Sequence, residues 1–194
     1  MKNQQQPRRN FIKKTFLGTI AAGAGISMLT PSMQSFATLS YDKVDGTNAK
    51  NEKEFRMGVI GPAELSLATS KIATEKATQK NAKEFAGFEL TEAIAVTTVL
   101  KDLGTPVPPM DAKAKATLEK IKNTPSGNEF DKIYIKAQLE NHEFLRDLAM
   151  EYLNNSKDKT TAAESQGRHL ATLALATFKE HVAITQRILG ELNT

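Results

Sequence analysis

Residues 161–192 read TAAESQGRHLATLALATFKEHVAITQRILGEL, and this stretch decides the fold. Leu170, Ala174, Thr177, His181, Ile184 and Ile188 follow one another at steps of three and four, so they line one seam of a single long helix. His181 lies inside that seam with apolar or small residues a turn away on either side, which turns its imidazole toward other helices. The rest of the chain is then read for what it places opposite His181.

Three more stretches carry the same period. Asn51 to Lys76 is a first helix, where Gly61-Pro62 predicts a kink or restart because proline lacks an amide hydrogen and crowds the preceding turn. Gln79 to Leu103 is a second, stopped by Gly104 and the prolines at 106, 108 and 109. Asp111 caps a short amphipathic helix through Lys122, with Leu118 and Ile121 on one side. Asn128 to Asn155 is the third long helix, opened by a Ser126–Glu129 capping box. Thr161 with Glu164 forms a second box, opening the fourth. No segment sustains period-two alternation, so no strand is predicted. The expectation is an all-α protein, an antiparallel four-helix bundle over residues 51–194, with a short extra helix in the link between the second and third long helices.

The first 37 residues differ from the rest. They hold five basic side chains and no acid, whereas the other 21 basic residues face all 22 acids. The overall net charge of +4 is therefore a property of the amino terminus, and it argues for no nucleic-acid partner. Pro7-Arg8-Arg9-Asn10-Phe11-Ile12-Lys13 precedes an uncharged, glycine-broken run from Phe16 to Leu29, and Ser35-Phe36-Ala37 is a small-x-small cleavage site. These are the parts of a signal peptide, and the paired arginines resemble the twin-arginine type. The expectation is export to the periplasm or cell envelope through the twin-arginine machinery. Residues 38–50 form an extended lead-in, and no membrane span is expected in the mature chain. With no cysteine, disulfides, thiolate metal sites and thiol catalysis are excluded.

The apolar face of each long helix carries one ionisable residue near its centre. In the third long helix Ile135, Leu139, Leu145, Ala149 and Leu153 fall within about 60° of His142. In the second, Phe85, Phe88, Val96, Val99 and Leu103 fall within about 40° of Glu92, with Glu89 a turn earlier as a companion. In the first, Met57, Ile60, Leu67 and Ala68 surround Glu64. Buried carboxylates need an imidazolium, a hydrogen bond or a cation. Glu64, Glu92, His142 and His181, with Glu89 in reserve, thus read in two ways. They are either a Glu–His polar layer that fixes register, or a charge-neutral site for one divalent ion such as zinc, iron or manganese. His169 points elsewhere on its helix, and Lys71, Lys76, Lys80 and Lys83 read as a solvated face.

Phe55, Gly61-Pro62-Ala63-Glu64-Leu65, Phe85-Ala86, Phe130-Asp131-Lys132-Ile133-Tyr134 with His142, and Phe178-Lys179-Glu180-His181 resemble the marks of one bacterial family. It is an exported, ferritin-like four-helix family catalogued as a domain of unknown function and labelled a predicted outer-membrane protein. The resemblance implies a ferritin-like bundle and an exported location, and no established reaction. Glu92-Ala93 stands where the family pattern has Asp-His. Leu139 and Phe178 stand three residues before His142 and His181, where di-iron bundles place glutamate.

Three functions compete. One is a non-enzymatic envelope or stress module with no catalytic or cofactor-binding residues, suggested by the lack of any nucleophile–base set or phosphate loop. The second is a metal-binding protein using the Glu/His set, and the third a small-molecule carrier with an apolar pocket between helices.

Overall fold

The computed structural model describes residues 46–194. The signal peptide expected at 1–37, and the lead-in as far as residue 45, lie outside the described residues. In the rest of the lead-in Gly46 turns the chain in the left-handed region (φ 65°), and Ala49 is fully buried.

Five helices follow: α1 (Glu52–Lys76), α2 (Lys80–Asp102), α3 (Ala112–Asn123), α4 (Asn128–Asn155) and α5 (Ala162–Leu192). Among the described residues there is no strand, and no helix is long and apolar enough to cross a membrane. The caps follow from side-chain chemistry. Asn51 accepts from the Glu54 amide, Gln79 from that of Ala82 and Asp111 from that of Ala114. At the end of α2, Gly104 takes φ 72°. The Gly104 amide reaches Lys101 O and the Thr105 amide reaches Leu100 O, the paired bonds of a Schellman stop.

Helix α1 runs through Pro62 without a restart, and the structure corrects two expectations about capping. The Ser126–Glu129 box does not cap α4, because Gly127 occupies the cap position (φ 139°) with no side-chain bond. Thr161 does cap α5, but the Glu164 carboxylate turns outward, to the Glu52 amide at 3.1 Å and the Tyr152 hydroxyl at 3.0 Å. That carboxylate ties the starts of α1 and α5 to the end of α4.

Two apolar clusters fill the core. One gathers Phe55 and Val59 of α1, Leu100 of α2, Leu148 and Tyr152 of α4, and Ala171 and Phe178 of α5. The other gathers Ala73 of α1, Phe85 of α2, Ile121 of α3, Phe130 and Tyr134 of α4, and Ile188 of α5. Helices α4 and α5 pack most closely, then α1 and α2, then α1 and α4, while α3 lies on α1 and α4. Helices α2 and α5 approach each other much less closely than any of these.

Polar groups are buried as well, most of them with a partner. Asp131 accepts from the amides of Thr78 and Gln79 and the Thr78 hydroxyl, fastening α4 to the corner between α1 and α2. The Ser66 hydroxyl donates to Gln138 Oε1, and Gln138 Nε2 donates to Thr69 Oγ1 and Ser70 Oγ, which bonds the Tyr134 hydroxyl. A fully partnered network of this kind fixes the register of α1 on α4.

Candidate metal centre

The buried face of α2 runs through Ala82, Phe85, Ala86, Glu89, Ala93, Thr97 and Leu100, at steps of three and four. Glu89, only 4% exposed, lies at its centre. Glu92 lies a turn away toward the edge, its side chain 44% exposed. The buried face of α4 runs through Gln138, His142, Leu145 and Ala149, and that of α5 through Phe178, His181, Val182 and Thr185. His142 and His181 are both buried.

Three ligand-type atoms converge from these helices. Glu89 Oε2 lies 3.0 Å from His181 Nδ1 and 3.3 Å from His142 Nε2, and the two ring nitrogens are 3.1 Å apart. His142 Nδ1 lies 2.8 Å from the backbone oxygen of Gln138. A carbonyl can only accept, so Nδ1 carries the hydrogen, and Nε2 faces the cluster, as a lone pair in the neutral ring or as a donor to Glu89 in the protonated one. With the His142 ring neutral, Nδ1–H of His181 donates toward both Glu89 Oε2 and His142 Nε2.

The electrostatics follow from this arrangement. Burial pushes the Glu89 carboxyl up, but hydrogen bonds and charge from the two histidines outweigh it and bring the pKa down to about 2. Burial pulls the His181 imidazole down, but the hydrogen bond and charge of Glu89, with the charges of Glu92 and Glu180, raise it above its ordinary value. Glu92 is raised, by burial first and against the pull of His181. Its Oε2 lies 3.0 Å from His181 Nε2 yet outside hydrogen-bond geometry, and it has no donor among the described residues. Phe85 sets its ring edge-on to both imidazoles, at 5.2 Å from His181 and 6.3 Å from His142 between centroids.

Of the residues singled out in the sequence, the structure brings together His142, His181 and Glu89, with Glu92 beside them. Glu64 lies apart, its carboxylate 2.6 Å from Lys101 Nζ on the α1–α2 side. His169 is exposed. The network of Ser66, Thr69, Ser70 and Gln138 leaves no mark in the sequence, because short hydroxyl and amide side chains on a helix give no hydropathy signal. All four Glu/His side chains also line a cavity of about 250 Å³ between α1, α2, α4 and α5.

A family model described as "Domain of unknown function (DUF4142)" matches residues 45–188. No match was found among curated proteins or solved structures.

Proposed function

We propose, from the premise that this chain belongs to the DUF4142 family and from the geometry of its buried site, that it binds one divalent transition-metal ion through Glu89, His142 and His181. One observation carries the reading: the triangle of Glu89 Oε2, His142 Nε2 and His181 Nδ1 has sides of 3.0, 3.1 and 3.3 Å. Ligands bound to zinc at 2.0–2.1 Å in a tetrahedron lie about 3.3 Å apart, and adjacent ligands in an octahedron of similar radius about 3.0 Å. The three atoms already stand at ligand spacing. The ion would replace the His181 Nδ1 hydrogen, and the Gln138 carbonyl would hold His142 in its ligating tautomer. Two imidazoles and a carboxylate suit zinc, iron(II) or manganese(II), with positions left over on the cavity side. This is a binding module with a single ion, since no Glu-x-x-His motif supplies bridging carboxylates for two.

The ferritin-like antiparallel arrangement belongs to the same reading. Its support is the first apolar cluster, where the starts of α1 and α5 meet the ends of α2 and α4. Two helices then run each way, and the link carrying α3 joins two that run in the same direction, as the single long crossover of ferritin-like bundles does. We also infer export by the twin-arginine route, supported by the pattern of residues 8–37.

Thermal melts test the metal reading. With zinc, manganese(II) or iron(II) at about a hundred times the dissociation constant, the wild-type midpoint should rise by about 5–10 °C over the chelated protein. His181→Leu should lose that response and His169→Leu should keep it. A wild-type midpoint indifferent to all three ions would leave the cluster as a register-fixing polar layer.

A further inference from the structure

The cavity beside the triad is mostly apolar. Val59, Ala63, Ala93, Val96, Leu145 and Ala174 make its walls, and the Glu/His cluster makes its polar end. At about 250 Å³ it exceeds the roughly 150 Å³ that suffices for a dry apolar cavity to take up benzene. The polar end is specific in charge. Without an ion the site holds two carboxylates, which repel an anion and suit a neutral donor. Glu92 Oε2 is itself shielded from solvent, lies on the cavity side and has no donor among the described residues, so a hydroxyl group would complete it.

We propose that this cavity binds a small neutral molecule made of one hydroxyl on an apolar body, of the phenol class, with the hydroxyl at Glu92 and the body between Val96, Leu145 and Ala174. The ion adds an oxygen-binding position at the same end. To that extent the proposal rests on the metal reading, but Glu92 and the apolar walls stand without it.

The experiment titrates phenol, benzoate and toluene into the full-length protein, chelated and zinc-treated, by isothermal calorimetry and saturation-transfer NMR. Metal content is measured separately by elemental analysis. Phenol should bind the chelated protein at least about tenfold more tightly than benzoate or toluene, the order expected for one hydrogen bond to a carboxylate. Glu92→Leu should bring phenol and toluene to near-equal affinity. Ala174→Phe should abolish phenol binding by filling the cavity, and Ala95→Phe at the exposed rim repeats the test if the first variant does not fold. Absence of phenol binding in both chelated and zinc-treated protein overturns the proposal. So does benzoate or toluene binding the chelated protein as well as phenol does, or phenol binding unchanged in the filled variant. Phenol binding to a protein that takes up no metal supports this inference and sinks the metal reading. Metal uptake without phenol binding does the reverse.

Discussion

Helix α5 meets α4 on one flank and α2 on another, and it meets them differently. Against α4 the contact is extensive and tightly filled. A Cβ added to Gly167 would lie 2.6 Å from both the Tyr152 hydroxyl oxygen of α4 and Glu52 Cγ of α1. Against α2 the backbones stay apart, and side chains span the gap: Glu89 and Glu92 reach His181, and Phe85 lies edge-on to it. One seam is closed by shape, the other by charge and hydrogen bonds with a cavity alongside. The second is therefore the place where an ion or ligand enters without unpacking the core.

Removing the charge from the α2–α5 seam should have the largest effect. Glu89→Gln keeps the shape and leaves the His181 imidazolium facing an amide. The Glu89 shift from 4.5 to about 2 corresponds to about 3 kcal/mol, and urea unfolding of the chelated protein at pH 6 should show a loss of that order. The pH dependence sharpens the test. The Glu89 pKa is lowered in the folded state, so its contribution is complete above pH 4.5 and fades as pH falls toward 2. His181 is raised, so its contribution is complete below pH 6.5 and fades as pH rises through the folded value. Glu92, raised by burial ahead of the pull of His181, works against the pair above pH 4.5. The chelated wild type should therefore show a stability plateau between about pH 4.5 and 6.5 that Glu89→Gln flattens. A variant as stable as wild type across that range would mean that the seam is not held by this cluster.

The α4–α5 seam should respond to shape instead. Gly167→Ala places a methyl group against the Tyr152 hydroxyl and the Glu52 stem, which are held by the Glu164 carboxylate and by Arg56. Overpacking at such a site costs about 1–3 kcal/mol, and the loss should be independent of pH between 4.5 and 8. Pressing α5 away from α4 should leave metal uptake intact if the two seams are separate, which elemental analysis of the variant checks.

The contrast also explains what could be read from the sequence and what could not. Helix number, the extra helix and the central place of His142 and His181 were legible, because capping residues and apolar period are local signals. On α2 the expected centre was Glu92, and the observed one is Glu89, about 60° away. The true core face is built of Ala82, Ala86, Ala93 and Thr97, small residues that carry little hydropathy but allow close approach to α1. Phe88, Val99 and Leu103 pulled the expected face toward the open side, where they are exposed, Phe88 by 59%. Glu64 failed for a similar reason. The buried face of α1 includes Ala63, Ser66, Thr69 and Ser70, and the pairing of Ser66 with Gln138 is a tertiary fact that no periodicity announces.

The smallest effect tests the open seam directly. Val99 and Leu103 share a helical face with Val96 on α2, and Leu170 and Leu173 share one with Thr177 on α5; Val99, Leu103, Leu170 and Leu173 are all exposed, Leu173 by 70%. If the α2–α5 side stands open as described, these rims contribute almost nothing to folding. Leu173→Ser and Val99→Ser should each change the unfolding free energy by less than about 0.5 kcal/mol, against the 1–3 kcal/mol expected for a methyl group on Gly167. If instead α2 and α5 close on each other in solution, the same leucine and valine are core residues. Truncating either would then cost about 2–3 kcal/mol, and the double variant would show coupling between the rims. Four urea curves, for wild type, both single variants and the double, decide between a seam that stays open for a guest and one that shuts.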